Sequence, residues 1–361
     1  MSWHRAGVNP LVSIQILRAL AALSVAYGHA AHEAGMLAAR KGTTFSAPLQ
    51  GLSPAGVDLF FAISGFVMVI SSTRFFGDIG GSLVFLRRRL ARIVPIYWVA
   101  TTLFLIALWF VPGALNADPP TWPEIIKSYL FFPFARDPGI PIQPVYSLGW
   151  TLNYEMFFYV LFALFLPLPA RIALPLVVGT LAAIVLAGRY IGASEGPYRF
   201  WSDPIVFEFA FGVVIGGLYL AGLRWSVRIG MVVMGAGALV FALANASGVL
   251  PIHWERLAWI GLPLAVVLAG AALMRSPAMG GALRPLAILG DASYALYLFH
   301  PIVIRGLSIV WGKLSLPMGA GLAGWGFVGM ALLASCLAAL VIYRQFERPL
   351  TRLLQGAAHR R

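Results

Sequence analysis

Long apolar runs separated by short polar links set the pattern of this chain. The runs fall near 11–31, 55–73, 91–112, 148–168, 171–190, 204–222, 228–247, 257–274, 287–310 and 323–344. A helix needs about 20 residues to cross roughly 30 Å of hydrocarbon, and most of these runs have that length. Lipid offers the backbone no hydrogen-bond partner, so a spanning segment is either a helix or a strand of a closed barrel. Barrel strands are shorter and alternate in polarity. The pattern therefore predicts an all-α polytopic membrane protein with about ten transmembrane helices. The shortest links, 169–170 and 223–227, predict antiparallel neighbours. The longest link, 113–147, carries many prolines and the apolar patch Tyr129-Leu130-Phe131-Phe132-Pro133-Phe134. It is expected to dip into the interface as a partial lid.

Composition supports this reading. Hydrophobic residues make up 60% of the 361 positions and charged residues 11%, with a mean hydropathy of +0.84. A soluble domain carries roughly 25% charged residues, so the polar residues cannot cover a water-facing globule of this size. One helical membrane domain over 11–344 is expected, between a segment at 1–10 and a basic tail at 345–361. Arg18 interrupts the first apolar run, which argues against a cleaved signal peptide. Cys336 is the single cysteine; it excludes a disulfide framework and a cysteine zinc site, and no metal is expected.

The formal charge is +13, but the basic residues lie between apolar runs. That placement points to membrane lipids and an anionic ligand as partners, and away from nucleic acid. With both termini cytoplasmic, 16 of the 26 Lys and Arg fall on the inner side and 9 on the outer, with Arg18 inside the first span. The excess has the sign the positive-inside rule requires. Most loop acids then fall outside: Glu33, Asp118, Glu124, Asp137, Glu195 and Glu255.

An ionisable side chain deep in a membrane costs about 2.5–3.5 kcal/mol on insertion scales, so each one is a candidate for function. Arg18 and His29 lie eleven residues apart in the first run, almost three turns at 3.6 residues per turn, and so share one helix face about 16 Å apart along the axis. Asp58, Glu155, Glu208 and His300 are placed by the same topology at an outer-half depth comparable to that of His29. Arg88, Arg89 and Arg92 cluster at the opposite, cytoplasmic end. The expected cavity binds an anion below and holds acid–base groups above.

Each of these has a plainer alternative. His29 or Glu155 could simply bond a neighbouring helix. Asp58 could serve a helix N-terminus, where an acid suits the dipole. Glu208 is assigned to packing, and the arginines could be a topology anchor meeting phospholipid. Asp291 is expected to cap the ninth span, with Ser293 nearby. His4, His253 and His359 are expected to be solvated, and His32 stays open. Gly212 and Gly216 form a GxxxG, a weak sign of close helix packing.

Several segments together are more specific. They are "SIQILRALAALSVAYGH", "GVDLFFAISGFVM", "FLRRRLARIVPIYW", "YSLGWTLNYEMFFY", "DASYALYLFHPI" and "FERPL". In this order they resemble the type 3 membrane acyltransferases, ten-helix bacterial enzymes that O-acylate lipopolysaccharide, exopolysaccharide and related glycans. The opening "IQILRALAAL" is most like the exopolysaccharide-modifying branch. The resemblance spans residue 14 to about 350. It departs at the fourth span, where the usual "SLSVEEQFY" reads Asn153-Tyr154 before Glu155 and Met156-Phe157 after it. The soluble esterase-like domain that some members append has no counterpart here, so a second acyl-handling step would need another protein.

The resemblance implies acyl-CoA, acetyl-CoA by default, as donor from the cytosol, and a lipid-linked or exported carbohydrate as acceptor. The setting it implies is the bacterial cytoplasmic (inner) membrane, with polysaccharide biosynthesis machinery as a possible partner. Arginine forks suit phosphate, which assigns Arg89 and Arg92, helped by Arg88, to CoA. An unperturbed imidazole titrates at about 6.5 and can take a proton from a hydroxyl at neutral pH. That makes His29 the expected general base, with Glu155 orienting it or holding the sugar. Arg18 is expected to bind the donor or stabilise developing negative charge. Asp58, Trp150, Tyr294 and His300 are expected on the acceptor side, Tyr297 supporting them, although for Trp150 the interfacial anchor is the favoured reading. An acyl-histidine relay is the minor variant of direct transfer.

Two other classes compete. A transporter or flippase for a lipid-linked sugar would show repeated halves or broken helices, and no such pairing is visible. A non-catalytic component of an export complex would have little reason to bury His29 and Glu155. No GxxxxGK[ST] run and no HExxH occur, which argues against an ATP-driven pump and a zinc protease.

Overall fold

The structure is a computed structural model that describes residues 12–49, 51–110, 118–136, 142–191, 196–246, 252–275, 283–314 and 322–357. His4, His359 and the segment 1–10 lie outside them. In chain order the helices are α1 Val12–Arg40, α2 Leu52–Ser71, α3 Ile79–Phe110, α4 Trp122–Tyr129, α5 Trp150–Phe165, α6 Ala170–Ile191, α7 Gly196–Trp201 and α8 Val206–Leu220. They continue with α9 Val227–Ala246, α10 His253–Arg256, α11 Leu262–Leu273, α12 Arg284–Asp291, α13 Ser293–Gly312, α14 Leu322–Ile342 and α15 Arg348–Ala357. Single π-helical turns at Leu257–Gly261 and Tyr343–Glu347 join α10 to α11 and α14 to α15. Among the described residues the only pairing of strand type is an isolated bridge between Trp225 and Met274.

Among the described residues, nine helical stretches are long and apolar enough to cross a membrane, and each overlaps an expected run. The sixth run differs. It forms α8, of 15 residues, which is about 22 Å at 1.5 Å per residue. Pro204 and an Asp203 carboxylate that accepts from the Ile205 amide at 2.9 Å delay its start. The ninth run is also corrected: it breaks at Ala292 into α12 and α13. Asp291 ends α12 rather than capping α13, whose flanking Ala292 supplies no side-chain cap. Helix α1 runs on to Arg40, about three turns beyond the expected end of the first span. The outward faces of the long helices are apolar: Val232, Leu239 and Leu243 on α9 and Leu333, Leu337 and Val341 on α14 are all well over a third exposed, as a lipid-facing surface requires.

The contacts form two compact units. The first comprises Met1–Phe60, Arg224–Pro251 and Trp259–Arg352. Its axis is α1, which carries Ala19, Ala22, Ala26, Ala30 and Ala34 at helical spacing, all fully buried. Small side chains let neighbouring backbones approach closely. Ala19 and Ala22 pack on Leu289, Ala295, Leu296 and Ala339, while Ala30 and Ala34 pack on Ile304, Phe327 and Ala331. Helices α12, α13 and α14 are thereby gathered around α1. Helix α9 lies against α11 through Gly230, Gly237 and Gly270, where a Cβ would strike Met274, the Pro263 carbonyl and Met234.

The second unit comprises Phe61–Leu223, Ile252–Ala258 and Leu353–Arg361. Its core is aromatic. Phe158 of α5 stacks on Phe209 of α8 at 4.1 Å between ring centroids and meets Phe61 edge-on. Tyr154 stacks on Phe200 at 4.0 Å. The Gly212–Gly216 pair does mark a close crossing: a Cβ on Gly212 would strike the Ala62 carbonyl, and one on Gly216 would lie 2.7 Å from Val69. In the long link, Thr121 and Glu124 form a reciprocal capping box that starts α4. Ser128 then ties α4 inward, its carbonyl accepting from the buried Tyr97 hydroxyl at 3.2 Å and its hydroxyl from the Val145 amide at 2.9 Å.

Candidate functional site

The first unit places two imidazoles in contact. His29 of α1 and His300 of α13 meet edge to face, with ring centroids 4.9 Å apart and planes at 67°. Helix α13 is held there by the alanine stripe of α1, which brings the two backbones together. His300 is fully buried. Its Nδ1–H donates to the Leu296 carbonyl one turn back, at 3.0 Å. That bond fixes the tautomer and leaves Nε2 as a bare lone pair, with no hydrogen-bond partner among the described residues. Tyr297 stands 6.3 Å from His300 and 6.0 Å from Phe60 between ring centroids. Tyr294 is half-buried at the start of α13.

The contact continues along the same pair of helices. One turn beyond His29, Glu33 accepts from Arg305 Nη1 at 2.7 Å and from the Ser308 hydroxyl at 2.6 Å. Sequence reasoning missed this ion pair because the first span was ended at 31, which put Glu33 in a loop. The signal was present: Glu33 follows His29 by four residues, and Arg305 follows His300 by five. Arg18 sits eleven residues before His29 on the uninterrupted α1, half-buried, with its Nη1 3.2 Å from Gln15 Oε1. Asp58 is not at a helix start. It lies almost two turns inside α2 and is 1% exposed, so the capping role considered for it is excluded.

His29 also faces open space. A cavity of about 490 Å³ is lined by His29, His32, Tyr27 and Met36 of α1 together with Phe45 and Ser46 of the segment that follows. His32, undecided in sequence, is an exposed member of this wall.

The second unit assembles the arginines. On α3, Arg87 is exposed, whereas Arg88, Arg89 and Arg92 are half-buried on the face that also carries the buried Phe85, Ile93 and Ile96. The Arg89 guanidinium donates to the Ser71 hydroxyl and lies 5.4 Å from the Phe85 ring centroid and 5.7 Å from that of Tyr159. Arg88 stands 5.5 Å from the Phe75 centroid, and its carbonyl accepts from Gln355 of α15 at 3.3 Å.

Glu155 belongs to this group. Its carboxylate accepts from the Ser64 hydroxyl at 3.0 Å and from the Tyr159 hydroxyl one turn along α5, and it lies within electrostatic range of Arg89 and Arg92. Its neighbours within the second unit are arginine, serine and tyrosine. Two turns of α5 carry it toward α3, where Phe85 packs on Tyr159 and Phe162. Trp150, at the head of α5, is half-buried and edge-on to Phe61 and Tyr154, a packed position rather than that of a free interfacial anchor. Glu208 is fully buried in the first turn of α8. His253 is exposed, as expected, and contacts the Asp203 carboxylate at 2.8 Å.

Comparison with known proteins places the chain. Residues 11–344 match the family model described as an acyltransferase domain. The chain is 37% identical over 318 residues to the exopolysaccharide production protein ExoZ of Rhizobium meliloti (strain 1021), an alignment covering 86% of this chain and 92% of that protein. No solved structure matches it.

Proposed function

Since the chain belongs to this acyltransferase family, we propose that it is a multi-pass membrane O-acyltransferase. On this reading it moves an acyl group, acetyl by default, from cytosolic acyl-CoA to a hydroxyl of an exported exopolysaccharide. The acceptor class follows the likeness to the exopolysaccharide production protein. The observation that carries the chemistry is the position of His29, whose ring lines an open cavity and contacts the buried His300.

The reaction runs as a direct displacement. The sugar hydroxyl attacks the thioester carbonyl carbon while His29 takes its proton. The carbon–sulfur bond breaks, CoA leaves as thiolate, and the imidazolium returns the proton to it. Arg18, on the same helix face toward the other end of α1, binds the anionic donor. Arg89 and Arg92, with Arg88 beside them, bind the CoA phosphates as bidentate forks. Glu155, held by Ser64 and Tyr159, keeps the neighbouring guanidiniums in place and moderates their mutual repulsion. The setting in this reading is the bacterial inner membrane with both termini cytoplasmic, a topology that the arginine distribution supports.

Mass spectrometry of surface glycans from cells with and without the gene tests this function. Loss of an O-linked acyl mass on deletion supports it. Identical ester content in the two strains, with the gene expressed, overturns it.

A further inference from the structure

The cavity beside His29 is built from α1, the segment that follows it and the first turn of α2. We propose that it seats a sugar ring of the acceptor, and that residues 45–48 and Ser53 therefore select which glycan is acylated. The proposal rests on the reading of His29 as the base of an acyltransferase.

Its size comes first. About 490 Å³ lies within the roughly 300–1,000 Å³ range of small-molecule sites. The lining chemistry narrows the occupant. Tyr27, Ser46 and Ser53 supply hydroxyls, and His29 and His32 supply imidazoles, all able to donate and accept hydrogen bonds. Phe45 and Met36 give an apolar wall. A sugar presents this combination, hydroxyls around its rim and C–H groups on its faces. None of the lining residues is Lys, Arg, Asp or Glu, so the cavity does not suit the phosphates of CoA. A bare acyl chain would offer no hydrogen bond to the Ser46 hydroxyl or to the His29 and His32 imidazoles that line the cavity.

The wall is fixed rather than loose. The Tyr27 hydroxyl donates to the Pro48 carbonyl at 2.8 Å, and the Thr43 hydroxyl to the Ala38 carbonyl at 3.2 Å. Lys41 Nζ donates to the Leu314 carbonyl at 2.7 Å. Phe45 is edge-on to Trp325 at 5.4 Å. Gly28, next to His29, has no Cβ, and one there would collide with Ser53. The start of α2 thus rests directly on α1 beside the proposed base. The acceptor residues expected from sequence differ: Asp58 and His300 are buried and do not line this cavity.

The test uses the full-length protein in lipid nanodiscs, acetyl-CoA as donor, and exopolysaccharide stripped of its esters by mild alkali as acceptor. Ala31→Leu and Ala47→Leu each place an isobutyl group in the cavity. The expected result is a rise of about tenfold or more in KM for polysaccharide, the range set by a steric mismatch in a site, with little change in KM for acetyl-CoA. An unchanged acceptor KM, or a donor KM that rises instead, overturns the proposal. A second arm reads binding without turnover and without altering the helix packing: Ser46→Cys in a Cys336→Ser background, labelled with a maleimide. Ester-stripped polysaccharide should slow labelling and acetyl-CoA should not; no protection by polysaccharide, or protection by acetyl-CoA alone, overturns it. If the wild-type protein transfers no acyl group, the proposed function fails, while protection by polysaccharide would still support a glycan cavity.

Discussion

His300 presents the edge-on partner of His29, 4.9 Å away between ring centroids, and is itself locked by the Leu296 carbonyl. A residue so placed sets the orientation of its neighbour without touching substrate. His300→Asn should therefore lower turnover by about tenfold or more, part of the 10²–10⁴ that general acid–base catalysis contributes, while leaving the KM for acetyl-CoA near wild type. Steady-state kinetics on the purified variant check this. A KM change with unaltered kcat would assign His300 to binding instead.

The arginines of α3 separate by exposure. Arg89→Glu and Arg92→Glu should weaken acetyl-CoA binding by tenfold or more, because a bidentate charged contact is worth about 1.5–3 kcal/mol. Arg87→Glu, on the exposed side of the same helix, should bind nearly as wild type. Isothermal titration in nanodiscs measures all three. Equal effects at the three positions would return the cluster to a topology role.

Glu33 and Arg305 form a partly buried pair, each about 15% exposed in its side chain. Removing one partner strands the other, so Glu33→Gln should lower stability by about 1–3 kcal/mol, less than a fully buried pair would lose. The double variant Glu33→Met with Arg305→Met should recover much of that loss. Thermal unfolding in detergent, followed by tryptophan fluorescence, gives both values.

Gly212 and Gly235 make a matched pair of tests in two membrane helices. Gly212→Ala drives a methyl into the Ala62 carbonyl and should cost about 1–3 kcal/mol of stability. Gly235→Ala meets nothing within 4 Å and should be neutral or slightly stabilising, by about 0.4–1 kcal/mol. The same unfolding assay distinguishes them.

The nine long helices were legible because a bilayer imposes a length and a polarity that a sequence must meet. The break at Ala292 and the short α8 were not, since hydropathy averages over a window and does not register a local turn set by Asp203 and Pro204. His29, Arg18 and the Arg88–Arg92 face were visible as charge or imidazole inside apolar runs. The alanine stripe of α1 was visible only as apolarity; its function as a packing seam depends on which helices surround it. Glu155 was identified as a candidate, but depth along a span does not specify which neighbour a side chain turns toward. That depends on rotation about the helix axis, fixed here by Tyr159 packing on Phe85. The cavity wall at 45–48 and Ser53 carried no motif, because Phe45, Ser46 and Ser53 acquire meaning only once they are folded back on α1.

The central claim is that His29 is the base. Purified wild-type protein and His29→Ala, in nanodiscs with labelled acetyl-CoA and ester-stripped exopolysaccharide, decide it. The account predicts that His29→Ala binds acetyl-CoA normally, unfolds at a similar temperature and loses transfer by a factor of about 10² or more. Transfer at the wild-type rate by His29→Ala would contradict it.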